Sequence, residues 1–357
     1  MIASGFISRG PRAIIWTTIA ALVATSVLFI AFRHLDVGRL SDVLLGAEPL
    51  WLLALAVSIP VEQLLRGWKW RQILFDIRPV GTFRLFGAVM VGYFANMIIP
   101  IGLSPLVRAW LVARLEALKV STVLLTTAIE RFVDGITFAV LVGILVLFAS
   151  LPMAEGNLRL GLMVAGSGSL VLFTGLIGGL FLIKNHLTGQ NSMVGRFVAW
   201  LETVFGGRLA GIGLGMAEGI TWPKSRWRGC GAIIASIGMK LISTSHFLWA
   251  GLAFGILLSA FDYLFIMVVT GFALIISRFI RVPGGGIMGS AFALKLLGIA
   301  DEEALTMVFA VHFSAISLVA GIGAIAMWKS GLTVLELRHA SRESLNKSGR
   351  QVLDDIR

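Results

Sequence analysis

The chain has 357 residues, of which 57% are hydrophobic and only 14% charged, and its mean hydropathy is +0.91. A soluble domain carries about 25% charged residues, so this composition excludes an ordinary soluble protein. The net charge of +11 does not indicate nucleic-acid binding here, because Lys and Arg mark the cytoplasmic loops of membrane proteins and favour anionic lipid surfaces. We predict an all-α polytopic membrane protein without a nucleic-acid partner.

Apolar windows long enough to cross a bilayer predict about six full spans, at residues 13–32, 49–65, 121–150, 158–183, 229–259 and 305–328. Basic residues before the first span and after the last favour cytoplasmic termini, and we expect a bacterial inner membrane. The domain prediction is one transmembrane domain: a first half to residue 184, an amphipathic cytoplasmic connector over 185–228, a second half over 229–330 and a polar tail over 331–357.

Residues 66–71 read Arg-Gly-Trp-Lys-Trp-Arg and follow the second predicted span. Alternating basic and Trp residues are typical of a membrane–water interface, where charges meet headgroups and indole rings form a belt. We therefore expect the second span to end at Leu65 and this stretch to lie among cytoplasmic headgroups.

The segment 84–119 is interrupted in its apolar middle by Pro100, Gly102 and Pro105. Prolines remove amide donors and disfavour helix at the preceding residue. Such backbone is tolerated in a bilayer only where protein buries it or a watery cavity bathes it. Basic residues at both ends favour a re-entrant hairpin, with a single span as the alternative. Arg108, with Asn96 nearby in the sequence, would then line an anion-binding cavity.

Two apolar segments, 263–280 and 287–299, flank a second interruption that contains Pro283 and the glycines 284–286. We interpret them as a second broken hairpin, entering from the opposite side. Paired Gly/Pro-interrupted segments in two halves are typical of inverted-repeat transporters with a midplane site. The alternative is that Gly and Pro are simply common in membrane helices.

Charged residues inside predicted spans are costly and usually face a cavity or one another. Glu130 and Asp134 share one helix face, and Arg131 lies three residues before Asp134. Two carboxylates on one face require an opposing cation, for which Arg108 and Arg66 are the candidates. A structural ion-pair network and the orientation of a binding arginine are both compatible with this pattern.

Arg278 and Arg281 precede Pro283, which ends their helix, and Gly284 and Gly285 precede the next one. Guanidinium groups bind phosphate through two parallel hydrogen bonds, and a helix N-terminus favours anions. We expect these arginines and Arg108 to bind a phosphate. The alternative is that they extend to the outer headgroups.

Metal-ligand, paired-cysteine and phosphate-loop motifs do not occur in the sequence, so we predict a protein that is not an enzyme and uses no cofactor or metal. Lys240, His246 and His312 are weaker signals within spans. A lone membrane histidine more often bonds a neighbouring helix than relays protons.

Several short motifs occur in the sequence in this order: Arg66–Arg71, Gly92-Tyr93-Phe94-x-Asn96, Pro100-x-Gly102, Arg108, Glu130-Arg131-x-x-Asp134 and Pro283-Gly284-Gly285. Together they resemble the lysylphosphatidylglycerol synthase transmembrane-region family. That family includes the flippase half of bacterial multiple-peptide-resistance proteins. The resemblance covers nearly the whole chain and implies a flippase-like fold that moves lipids or lipid-linked groups between leaflets. With the sequence running to Arg357, we expect no soluble aminoacyl-transferase domain after the last span.

Two departures from the family pattern concern the substrate. In the family, an acidic residue usually follows the glycine that corresponds to Gly102, and this chain has no acidic residue there. The family also commonly has an acidic residue a few positions after Pro-Gly-Gly, where this chain has Met288-Gly289-Ser290. Such acids could neutralise the cation of an aminoacylated lipid. Their absence favours an anionic lipid, such as a phospholipid or a polyprenyl phosphate.

The first functional hypothesis is therefore a flippase-like transporter in which Arg108, Arg278 and Arg281 hold a lipid phosphate and Asn96 bonds the headgroup. Pro100, Gly102, Pro105 and Pro283 shape the gating hairpins, and Glu130, Arg131 and Asp134 support the arginines. The second is a non-transporting subunit that supports a lipid- or glycan-modifying enzyme partner. The third is a small-anion carrier. The oligomeric state is not predicted.

Overall fold

The computed structural model describes residues 45–98, 104–149, 156–188, 220–280 and 284–331. Within these ranges the chain forms nine helices and no strand. In chain order they are α1 (Pro49–Leu74), α2 (Thr82–Ile98), α3 (Ser104–Glu116), α4 (Val120–Phe148), α5 (Gly156–Thr188), α6 (Arg226–Ala253), α7 (Ala260–Ile280), α8 (Gly285–Leu296) and α9 (Asp301–Lys329). The predicted all-α class is confirmed.

Six of the described helices are long and apolar enough to cross a membrane. Five of them, α1, α4, α5, α6 and α9, overlap predicted spans. The sixth is the segment Ala260–Ser277 of α7, for which the sequence predicts a hairpin arm. The predicted span 13–32 lies outside the described residues, as do most of the connector and nearly all of the tail. The division into two halves around a connector stays a prediction.

The helix α1 corrects one prediction. It continues to Leu74 rather than ending at Leu65, and Arg66, Lys69 and Trp70 are buried in protein instead of lying among headgroups. The prediction was wrong because basic and Trp residues suit two environments: a lipid interface, or a protein interior that supplies counter-charges.

The helices α2 and α3 pack against each other, as expected for a hairpin. They contain 17 and 13 residues, which at the helical rise correspond to about 25 and 20 Å, less than the roughly 30 Å of a hydrocarbon core. Pro105 is the second residue of α3, where a missing amide donor costs little. Pro100 and Gly102 lie outside the described residues.

Gly92 sets the distance between these two helices. A Cβ atom at Gly92 would lie 2.9 Å from the carbonyl oxygen of Ser104 and 3.3 Å from Cβ of Arg108. Only glycine permits this approach, so the first turns of α3, including Arg108, are held directly against α2.

The chain divides into two compact units. One comprises Met1–Ala54 and Phe247–Phe313, and within it α7 packs against α8. The other comprises Leu55–His246 and Ser314–Arg357, and within it α4 packs against both α3 and α5. In the second unit the C-terminal part of α9 also contacts α2, since a Cβ at Gly323 would lie 2.8 Å from the carbonyl oxygen of Met90. The inverted repeat stays a prediction.

The substitution Gly92→Ala should destabilise the α2–α3 hairpin by about 1–3 kcal/mol, because the added methyl group overpacks a backbone contact. Gly87→Ala in the same helix is the matched control, since a Cβ there meets nothing within 4 Å. Thermal unfolding of the purified variants in detergent measures both. Equal unfolding midpoints for the two variants would contradict the assigned packing.

Candidate functional site

A stripe of polar residues runs along one face of the apolar helix α1. Glu62, Arg66 and Lys69 are spaced by four and three residues, so their side chains project from the same face. All three are buried, and Lys69 is 0% exposed. Unpaired charges could not be buried in this way, so the stripe requires partners on a neighbouring helix.

Those partners are the two carboxylates of α4. Asp134 lies 2.5 Å from Lys69 Nζ and 3.3 Å from Arg66 Nη1, and Ser236 of α6 donates a hydrogen bond of 3.0 Å to it. Arg131, three residues before Asp134, does not pair with it within the described part of the chain, because the α1 cations occupy the carboxylate instead. Arg131 is half-buried, and its Nε makes no hydrogen bond to the residues that the structure describes.

Glu130 is 0% exposed and faces three cations. Its oxygens lie 2.7 Å from Arg108 Nη2, 3.5 Å from Lys69 Nζ and 3.7 Å from Arg66 Nη1. The prediction that Arg108 or Arg66 opposes the carboxylate face is confirmed, since both do. We call the six residues Glu62, Arg66, Lys69, Arg108, Glu130 and Asp134 the buried ion network.

Arg108 is the member with unused binding capacity. It is 1% exposed, and its guanidinium carbon lies 4.9 Å from the centre of the Trp70 ring. Its Nη2 is paired with Glu130, whereas its Nε and Nη1 make no hydrogen bond within the part of the chain that the structure describes. Buried donors without acceptors are costly, so a site with an acceptor-rich ligand is favoured here. The buried Oδ1 of Asn96 and Oγ of Ser104 also have no hydrogen-bond partner in the described ranges.

The charges of the ion network balance, because three cations face three carboxylates. Further cations lie on the same helices. Arg131 adjoins Glu130 on α4, and Lys240 lies one turn beyond Ser236 on α6, with its Nζ 5.4 Å from the Phe138 ring. The surroundings therefore carry an excess of positive charge, which suits an anion.

The second predicted phosphate site is described only in part. Gly284 is exposed and has φ +83°, a left-handed conformation that favours glycine, and it precedes α8. Gly285 is buried, and a Cβ there would clash with Ser277 of α7. Gly284 therefore has a conformational role, and Gly285 has a packing role. Arg281 and Pro283 lie outside the described residues and the Arg278 side chain is not described, so the guanidinium cluster stays a prediction.

Sequence reasoning missed Lys69, Glu62 and Ser236 as members of the site. A signal existed: Glu62, Arg66 and Lys69 repeat with helical spacing, which a flexible interfacial segment does not require. Ser236 gives no such signal, because a serine in an apolar helix usually bonds its own backbone.

Comparison with known proteins agrees with this architecture. The family model described as the lysylphosphatidylglycerol synthase TM region matches residues 17–323. The chain belongs to this family and is a multi-pass membrane protein. It is also similar to the glycosyltransferase AglD of Haloferax volcanii, with 30% identity over 138 residues. That match covers 38% of this chain and only 22% of the relative. No solved structure matches the chain.

The substitution Glu130→Gln should lower the free energy of unfolding by about 3–5 kcal/mol, because it leaves buried cations without their counter-charge. The control is Asp301→Asn, which removes a 3.7 Å pair with Lys295 between two side chains about 70% exposed and should cost about 0–1 kcal/mol. Reversible denaturant titration in mixed micelles compares the two. A Glu130→Gln cost no larger than that of the control would refute a stabilising role for the network.

Proposed function

We propose that this protein is a flippase-like transporter that moves an anionic lipid, or a lipid-linked group, between leaflets, and that Arg108 holds the lipid phosphate. The proposal is carried by one observation: a buried arginine that pairs with Glu130 through Nη2 and whose Nε and Nη1 make no hydrogen bond to any described residue. A phosphate offers several acceptor oxygens and matches the planar guanidinium fork with two parallel hydrogen bonds.

The ion network supports an exchange of partners at Arg108. A phosphate that engages Arg108 competes with Glu130 for the same cation. Glu130 does not become an isolated buried charge in this exchange, because Lys69 and Arg66 lie within 3.5 and 3.7 Å of it. The loss of the Arg108–Glu130 pair is therefore partly offset by the pairs of Glu130 with Lys69 and Arg66. This lowers the free-energy cost of phosphate binding and release.

The lipid proposed is an anionic phospholipid or a polyprenyl-phosphate-linked group, because this chain lacks the acids that would neutralise an aminoacylated headgroup. In this proposal Asn96 bonds the headgroup, while Arg278, Arg281 and the amides at Gly284 and Gly285 form a second phosphate contact. The two broken hairpins alternate access from either side of a bacterial inner membrane, with both termini cytoplasmic. The protein itself catalyses no covalent step.

The alternative is a non-transporting subunit that supports a lipid- or glycan-modifying enzyme. The similarity to a protein named a glycosyltransferase favours this alternative. In that case the buried charges serve only to hold the helices together. Arginine substitutions would then lower the amount of folded protein and leave the activity per folded molecule unchanged.

Lipid movement by purified protein in liposomes tests the proposal. Headgroup-labelled anionic and neutral lipids are compared for the wild type, Arg108→Ala and Arg278→Ala, with Arg108→Lys as a variant that keeps the buried charge. We expect movement selective for anionic lipid, reduced at least about tenfold in Arg108→Ala and substantially in Arg108→Lys, because an ammonium group lacks the planar fork.

The control is Arg84→Ala, since the Arg84 side chain is 70% exposed and pairs with Glu116 at the end of α3, away from Glu130. Only variants that elute as folded protein at normal yield are compared. Full movement of anionic lipid by folded Arg108→Ala and Arg108→Lys would contradict the phosphate role and favour the structural alternative.

A further inference from the structure

A cleft of about 730 Å³ lies apart from the ion network, at the ends of several helices. Its walls come from the residues after α1, the turn between α3 and α4, one residue of α5, and the segment before α6. A volume of this size falls within the range of roughly 300–1,000 Å³ that is typical of small-molecule sites.

The lining combines cationic and apolar groups. Among the described residues of the lining, Lys119 and Lys224 are cationic and Asp76 is a carboxylate. That carboxylate already accepts a 2.7 Å hydrogen bond from the Lys224 backbone amide, which fixes the segment before α6. The Oγ1 atom of Thr221 is buried and has no hydrogen-bond partner among the described residues. The polar part of the cleft therefore suits an anion with acceptor oxygens.

The remaining lining is apolar and aromatic, with Ile77, Leu118, Phe181 and Trp222. A small hydrophilic anion would leave these groups without contacts. An amphiphile that carries a phosphate and an acyl or prenyl chain would match both parts, because the helix ends place the cleft where spans leave the hydrocarbon core.

The helix α4 links the cleft to the ion network. Thr122 lines the cleft, and Thr126 and Glu130 follow at four-residue spacing, all three buried. Eight residues of helix correspond to about 12 Å along its axis. Thr126 accepts a 3.0 Å hydrogen bond from Trp70 Nε1, the ring on which Arg108 stacks. A polar stripe thus runs from the cleft to the candidate phosphate site.

We propose that this cleft binds the phosphate headgroup of an amphiphilic anionic lipid through Lys119, Lys224 and Thr221, with Trp222 and Phe181 against the first part of its chain. Its further role as a loading site that delivers the headgroup along α4 to Arg108 rests on the proposed transport function. The binding itself does not.

The test measures binding by the purified full chain in detergent micelles. The probes are short-chain phosphatidic acid, which has phosphate and chains, glycerol 3-phosphate, which lacks chains, and dioctanoylglycerol, which lacks phosphate. We expect phosphatidic acid to bind tightest. Lys224→Ala should weaken its binding about tenfold, as expected for loss of a charge-assisted contact. Trp222→Leu should weaken it less.

The matched control is Lys329→Ala, which removes an exposed cation at the end of α9, outside the cleft. Unchanged binding by Lys224→Ala, or dioctanoylglycerol binding as tightly as phosphatidic acid, would overturn the proposal. Equal binding of glycerol 3-phosphate would assign the cleft to soluble phosphate esters and overturn the lipid assignment. This assay measures binding and requires no transport. The cleft proposal can therefore be refuted while Arg108-dependent lipid movement is retained, and lipid movement can be absent while the cleft still binds the lipid.

Discussion

The structure of the larger compact unit depends on the burial of the Glu130 carboxylate among cations. A carboxylate with no access to water is costly unless it is paired, and its pairing here comes from two other helices at once. Lys69 and Arg66 hold α1 against α4, and Arg108 holds α3 against the same part of α4. Asp134, one turn later on α4, also pairs with Lys69 and Arg66. Its hydrogen bond from Ser236 connects α6 to the network. The network therefore specifies which helices are neighbours and in which register.

This constraint explains the shape of the first hairpin. The helix α3 is too short to cross a hydrocarbon core, so lipid contacts alone do not determine its position. Its position follows from Gly92, which lets α2 approach closely, and from Arg108, which stacks on Trp70 and pairs with Glu130. The residue that holds the hairpin in place is thus the residue proposed to bind substrate. Ligand binding at Arg108 would weaken the same contacts that hold α3, which is a physical basis for coupling binding to hairpin movement.

The sequence predicted the class, both helix breaks and the need for cations opposite Glu130 and Asp134. These follow from local rules: hydropathy over one span, proline chemistry, and the cost of charge in a membrane. It did not predict that Lys69 adds to the counter-charge of Arg66 and Arg108, because the same basic and Trp pattern is typical of a lipid interface and only tertiary contacts distinguish the two. Ser236 could not be assigned because a serine in an apolar helix usually bonds its own backbone. The role of Gly285 in packing against Ser277 depends on a neighbouring helix that sequence spacing does not identify.

The central claim, that the buried guanidinium of Arg108 holds a lipid phosphate, is tested most directly by native mass spectrometry of protein extracted with its membrane lipids. Wild type, Arg108→Gln and the exposed-site control Arg84→Gln are compared for the lipids that each folded protein retains. The account predicts an anionic, phosphate-bearing lipid retained by the wild type and by Arg84→Gln but lost from Arg108→Gln. Equal retention of anionic lipid by all three proteins would contradict it.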